Sequence, residues 1–295
     1  MASNQKQIVA LSRLFSSTVF RELAAKGKSA VFARLVGETE FTSRAPGYDL
    51  VRDVFEAAFE MLKHAGLRDE YIYKAALTHR VLMGKHSLRT ACMLSEFRAG
   101  DCKADVAILN GTSTVYEIKS ERDSLGRLER QIENYRKVFA SVFVIAGQNH
   151  VDSVLKATPS DVGVMSLDRR YYMFMRREAK NDPGRICPLT VFEALRTHEA
   201  KEVLADLGVL VPDLPNTLLR GELRCHFERL GPDQVHAAMI RTLKRTRDLK
   251  PLASLVDRLP DSLHAAALSV PLRKSDHDRL VDAVNTPLKQ ALSWS

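Results

Sequence analysis

The stretch Ala104-Asp-Val-Ala-Ile-Leu-Asn-Gly-Thr-Ser-Thr-Val-Tyr-Glu-Ile-Lys119 decides how this chain is read. Ala104–Leu109 is a run of strand formers. Asn110-Gly111 is the dipeptide that closes a tight hairpin, and Ser113–Lys119 returns as the second strand. Alternate residues of a strand share a face, so Glu117 and Lys119 point one way and Tyr116 and Ile118 the other. The hairpin brings Asp105 close to Glu117. Two carboxylates and a lysine on half-buried strands are costly unless they are paired or metal-bound. A hard divalent cation would satisfy both acids.

Upstream, Cys92–Arg98 reads as a strand and Ala99-Gly100-Asp101 as its turn. A turn centred on Gly100-Asp101 sets Glu96 opposite Asp105 and supplies a third carboxylate. A slip of one residue would move Glu96 to the other face. Downstream, Asp123 or Ser124 caps a helix with Leu125, Leu128, Ile132, Tyr135 and Phe139 on one side. A strand at Val142–Ala146 follows, ended by Gly147, with further strands at Val162–Leu167 and Tyr171–Met175. Gln131 and Tyr135 stand four residues apart and reach one surface, with Arg127 a turn earlier. Contact with a substrate and a place in the core are both open readings for Tyr135.

The flanks are helical. Residues 5–25 read as one helix and 26–49 as a connection. A strongly amphipathic helix from Val51 stops at Gly66, and another runs from an Asp69 cap to near Gly84. From Thr190 onward the chain reads as several short helices. Their densest basic cluster is Arg241, Lys244, Arg245 and Arg247, either a phosphate contact or a solvated helix face. Trp294 reads as a tail residue.

A length of 295 residues fits two units, and 45% hydrophobic with 27% charged residues is ordinary for a folded chain. No apolar run approaches the roughly 18–20 residues that would span a bilayer. The N-terminus does not read as a secretory signal, and the four cysteines lack C-x-x-C spacing. A cytoplasmic protein with reduced thiols and no membrane partner is the expectation. The net charge of +8 sits mainly in the first half, without a dense basic tail, so a polyanion would be held by a folded surface. No G-x-S-x-G or H-E-x-x-H occurs, and Gly27-Lys28-Ser29 lacks the leading glycine of a phosphate loop, since Glu22 stands there. His64, His79 and His86 read as isolated helical histidines.

Asp105, eleven residues, then Glu117-x-Lys119 and a helix bearing Gln131-x-x-x-Tyr135 resembles the PD-(D/E)xK nuclease superfamily. Ser95-Glu-Phe-Arg, Ala104-Asp-Val and Val115-Tyr-Glu-Ile-Lys-Ser-Glu-Arg-Asp-Ser-Leu look like a largely uncharacterised bacterial and phage-borne branch of it. Ala104 replaces the motif's proline. The resemblance spans about residues 50–175 and implies an α/β fold with a restriction-endonuclease-like core (helix, three-strand meander, helix, strand), followed by a C-terminal helical region. The expected domains are a helical lead-in over 1–49, the nuclease-like domain over 50–178 and a helical domain over 185–295.

The resemblance also implies a function. Asp105, Glu117 and Lys119 would be catalytic. Asp105, Glu117 and the main chain of Ile118 would hold Mg²⁺ or Mn²⁺, with Glu96 or Glu70 as the further acid. Gln131, Tyr135 and Arg127 would touch substrate. The expected activity is a Mg²⁺-dependent nuclease that cleaves DNA by in-line attack of water, with no covalent intermediate. Host defence or mobile-element biology is the association the family carries. A non-catalytic nucleic-acid-binding protein and an endoribonuclease are the alternatives. RNA is not separated from DNA by the sequence, nor is a homodimer from a monomer.

Overall fold

The computed structural model describes residues 2–39, 41, 49–64 and 66–295. The chain opens with helices α1 (Ala2–Leu14), α2 (Ser17–Lys26), α3 (Ala30–Gly37), α4 (Val51–Leu62) and α5 (Glu70–Leu77). A π-turn over Thr78–Leu82 leads to the short α6 (Met83–Lys85). The strands are β1 (Cys92–Ala99), β2 (Cys102–Asn110), β3 (Thr112–Lys119), β4 (Ser141–Ala146), β5 (Gly163–Leu167) and β6 (Met173–Arg177). Helix α7 (Leu128–Arg136) joins β3 to β4, and α8 (Val151–Ala157) joins β4 to β5. Helices α9 (Pro188–Ala194), α10 (Thr197–Asp206), α11 (Asn216–Glu228) and α12 (Pro232–Thr246) follow. The chain closes with α13 (Ala253–Val256), α14 (His264–Ser269), α15 (His277–Val284) and α16 (Leu288–Ala291).

The chain divides into two units. One contains Met1–Val81, Arg169–Tyr172 and Lys250–Ser295; the other contains Leu82–Asp168 and Met173–Leu249. These boundaries depart from the expected three-part division at 49/50 and 178/185. Helices α9 to α12 belong with the sheet, because Val191, Phe192, Val203, Leu223, Phe227 and Met239 share its core. The last helices return instead to the N-terminal ones. Arg279 donates to the carbonyls of Ala24 and Ala25, Tyr71 Oη donates to Ser262 O, and Trp294 packs its ring on Phe32. Trp294 is therefore a packed residue and not a tail.

The expected helix over 5–25 is two helices. Ser16 interrupts it and caps α2 by accepting from Val19 N. The expected connection over 26–49 contains α3, capped by Ser29 and burying Phe32, Leu35 and Val36; residues 40 and 42–48 of that connection lie outside the described residues. Asp69 caps α5 as expected, its carboxylate accepting from Ile72 N.

The second unit is a mixed α/β layer built on one six-stranded sheet in the order β1-β2-β3-β4-β5-β6. The β1-β2-β3 meander is antiparallel. The crossovers through α7 and α8 make β3, β4 and β5 mutually parallel, and β6 closes antiparallel. The β1–β2 register pairs Ser95 with Val106 and Phe97 with Ala104, which sets Glu96 opposite Asp105. One face of the sheet packs Ala107, Leu109, Val115, Val144 and Val164 against Leu128, Ile132, Val154 and helices α9 to α12. On the other face the rings of Tyr116 and Phe143 stack at 5.5 Å.

Three local differences matter for the site. Helix α7 starts at Leu128, not at Asp123 or Ser124, because Asp123 closes the preceding turn by accepting from Ser120 N and Oγ at 2.8 and 2.7 Å. Strand β6 starts two residues later than expected, since Tyr171 takes a left-handed φ of 65° and donates its hydroxyl to Ile72 O within the first unit. Gly100, at φ 57°, lets the β1–β2 turn press on α7: a Cβ there would stand 2.1 Å from Asn134 Oδ1.

Candidate functional site

Glu117 and Lys119 lie near the end of β3, where β2 stops pairing with it. The β2–β3 ladder runs from Asn110–Thr112 to Val106–Tyr116. Beyond it Asp105 takes over: its Oδ2 accepts from Ile118 N at 2.7 Å, a side chain standing in for a backbone acceptor where the strands part. The continued register sets Asp105 beside Glu117, on the same sheet face.

Glu117 is 1% exposed and Lys119 5%. A buried carboxylate needs a donor on each oxygen. Glu117 Oε1 accepts from Lys119 Nζ at 2.8 Å and from Gln131 Nε2 at 2.5 Å, and Oε2 accepts from Tyr135 Oη at 2.6 Å. Lys119 Nζ also donates to Gln131 Oε1 at 2.9 Å. Gln131 thus gives its amide to the acid and its carbonyl to the base. The four side chains close one polar network between β3 and α7.

The two readings of Tyr135 merge. Its ring is fully buried among Leu128 and Ile132, and its hydroxyl serves Glu117 and the carbonyl of Lys103 at 2.8 Å. Burial, reinforced by the neighbouring Glu117 charge, pushes this phenol far above its ordinary value, so it stays a donor. Tyr135→Phe keeps the ring and removes only the hydroxyl. A hydrogen bond to a charged group contributes about 1.5–3 kcal/mol, so the variant is expected to lose that much in urea unfolding.

Glu96 and Asp105 form a second acidic group. A carboxylate oxygen of each lies within 4.8 Å of the other. Glu96 sits in the left-handed region at φ 53°, is skipped by the ladder between Ser95 and Phe97, and is exposed. A non-glycine residue held in that conformation within a strand costs on the order of 1 kcal/mol and collects at functional sites. Glu70, the other candidate acid, belongs to the first unit and pairs with Lys74 at 3.0 Å on its own helix. Arg127, before the first turn of α7, is exposed.

Some expected features have other roles. Arg241 pairs with Asp206, Arg245 with Glu202, and Arg247 with the buried Glu199, so three of the four basic residues at the end of α12 are engaged by acids of α10. Neither expected reading of that cluster describes Arg247. His86 is not isolated either: its Nδ1 meets Asn110 Nδ2 at 2.8 Å. His79 packs edge-on against His264, with ring centroids 5.4 Å apart. Asn134, not singled out in the sequence, ties α7 to the hairpin by accepting from Asp101 N. Its contact follows from the close approach of Gly100, which no local sequence pattern announces.

Residues 63–249 match the family model described as Bacteriophage P4 protein cII. The chain belongs to this family. The match takes in the whole sheet unit, so the Asp105–Glu117–Lys119 group lies inside the cII region. Protein cII of Enterobacteria phage P4 is 27% identical over 146 residues, covering 48% of this chain and 53% of that protein. The aligned part thus spans about half of that curated relative. Among solved structures, the SPO1766 protein of unknown function from Silicibacter pomeroyi is similar at 19% identity. It covers 45% of this chain and 88% of that one, with a TM-score of 0.31.

Proposed function

We propose that this cII-family chain is a metal-dependent nuclease with the restriction-endonuclease-like core that its motif resembles. The observation that carries the reading is the network on Glu117. A buried acid, a buried lysine and a glutamine–tyrosine pair from the next helix meet at the point where two strands part. Burying an ion pair contributes little net stability, because desolvation offsets the attraction. Chemistry is a sufficient reason to keep it beside a second carboxylate, Asp105.

The donor set suits Mg²⁺ or Mn²⁺. Asp105 and Glu96 bring hard carboxylate oxygens to within 4.8 Å of each other, the oxygen-donor chemistry such a cation takes. Asp105, Glu96 and Glu117 would hold the ion, with the main chain of Ile118 beside them. When bound, it would supply charge neutralisation at a phosphodiester and a lowered pKa for water.

The chain's own residues do the rest. Tyr135 and Gln131 fix the Glu117 carboxylate. Glu117 and Gln131 in turn hold the Lys119 ammonium in one position, where it stabilises charge developing on the phosphate oxygens. Asp105, locked by Ile118 N, keeps its orientation as substrate arrives. DNA is the favoured substrate. A role in host defence or mobile-element biology fits the phage relative.

The test is cleavage of linear, circular and single-stranded DNA, and of RNA, with Mg²⁺, Mn²⁺ or chelator. Metal-dependent cleavage should fall by at least about a hundredfold in Asp105→Ala and Lys119→Ala. Cleavage that survives in both variants would sink the site. Chelator-independent binding with no cleavage of any substrate would make the chain a non-catalytic binder.

A further inference from the structure

We propose that Phe174 and Arg176, on the free edge of the sheet, form a stacking platform for a base and phosphate of single-stranded nucleic acid beside the Glu117–Lys119 site. The inference rests on the nuclease reading for the route of the strand. Its own grounds are the geometry of β6.

Lys119 pairs with Ala146, Ala146 with Ser166, and Ser166 with Phe174. Lateral partners in a sheet point to the same side, so these four residues form one row. The row lies at the end of the sheet where β3, β4 and β5 finish and β6 begins. Three strand spacings separate its ends, roughly 14 Å. Ala146 and Ser166 are buried, so a strand whose phosphate lies at Lys119 would cross the rim of the sheet, not follow the row, and the span to Phe174 is that of a short run of nucleotides.

Phe174 is 46% exposed, although a phenylalanine normally buries its ring. Arg176 lies over that ring, its guanidinium carbon 5.8 Å from the centroid. Met175 pairs with Met165 and Arg177 with Val164, so Arg176 is the extra residue of a bulge, the device that re-aims a side chain. Its Nε donates at 2.8 Å to Ser166 Oγ, and Ser166 is wholly buried. The guanidinium is thus held at one nitrogen, and its terminal amines remain to meet a phosphate.

Three other arginines of this unit are spent internally. Arg177 donates to the carbonyls of Val162, Leu155 and Thr158, and Arg136 and Arg185 both pair with Asp161. Among the described residues no carboxylate pairs with Arg176. An exposed aromatic plane with an anchored cation beside it is what an unstacked base and its phosphate require. A second copy of the chain is disfavoured as occupant. The bulge breaks the regular edge that strand addition needs, and a two-fold pairing would bring like charges together.

The experiment is fluorescence anisotropy of a labelled oligothymidylate, and of the same strand in a duplex, in chelator. Phe174→Ala should weaken single-strand binding about tenfold and leave duplex binding unchanged. Phe174→Trp should retain single-strand binding. Arg176→Gln should weaken it and lower the salt slope by about 0.7. Unchanged single-strand affinity in Phe174→Ala overturns the platform, as does an equal loss on duplex or no binding by wild type. A wild-type dimer that Phe174→Ala makes monomeric assigns the edge to a second copy and overturns it too. A parallel Mn²⁺ cleavage assay separates the two readings. Lys119-dependent cleavage with unchanged binding in Phe174→Ala refutes only the platform, whereas platform-dependent binding without cleavage refutes only the nuclease.

Discussion

Lys119→Met is expected to destabilise the sheet unit by about 3–5 kcal/mol, the typical result of stripping one partner from a buried ion pair. Methionine fills similar volume without charge, so the loss is electrostatic and not a cavity effect. Glu117 would keep Gln131 and Tyr135 as donors and lose the ammonium 2.8 Å from Oε1. Gln131 would lose the partner of its own carbonyl. In Glu117→Gln with Lys119→Met both charges are gone, and stability should return to within about 1–2 kcal/mol of wild type. Urea denaturation of the two single variants and the double variant measures this directly. Additive losses would show that the two side chains do not act as a pair. If the double variant is stable yet inactive, the pair is kept for function at a cost in stability.

How much of this arrangement can be read from the sequence depends on how local its cause is. The hairpin at Asn110-Gly111 and the turn at Gly100-Asp101 are short-range signals, so the meander and its register follow from them. The shared face of Glu117 and Lys119 follows from strand alternation alone. Tyr135 reads two ways in the sequence because one side chain does two things: the ring obeys the apolar spacing and the hydroxyl answers a buried charge. Other features have causes distant in sequence. Asp105 engages Ile118 N only because β2 and β3 part at that point. Glu96 drops out of the ladder through its backbone, not through its residue type. The division into units depends on the return of the last helices to the first, through contacts such as Tyr71 with Ser262, about which local periodicity is silent. The sequence sets the start of α7 too early because Asp123 serves equally well as a turn closer and as a helix cap.

The second large effect is expected at Arg247, far from the chemistry. Glu199 is 0% exposed, and Arg247 grips it with Nε to Oε1 at 2.7 Å and Nη2 to Oε2 at 2.9 Å. The same carboxylate accepts from Arg196 N and so caps α10, while the Arg247 guanidinium lies 5.1 Å from the Phe97 centroid. One side chain thus links the helix layer to β1 next to Glu96. Burial pushes the Glu199 carboxyl up, but the hydrogen bonds and charge of Arg247 outweigh it, and the net shift is downward from 4.5. A group lowered in the folded state adds stability that is full above its unfolded value and is lost as the pH falls through its folded value. Wild type should therefore lose stability as the pH drops below about 4.5, and Arg247→Met should lose about 3–5 kcal/mol at neutral pH. In that variant Glu199 has only the burial penalty and weaker donors, so its carboxyl rises and the acid loss flattens or reverses. Denaturation curves of Arg247→Met and of Glu199→Gln with Arg247→Met, followed from pH 7 to pH 3, separate the charge from the packing on Phe97. A parallel pH dependence in wild type and the single variant would show that Arg247 acts through the ring and not through Glu199.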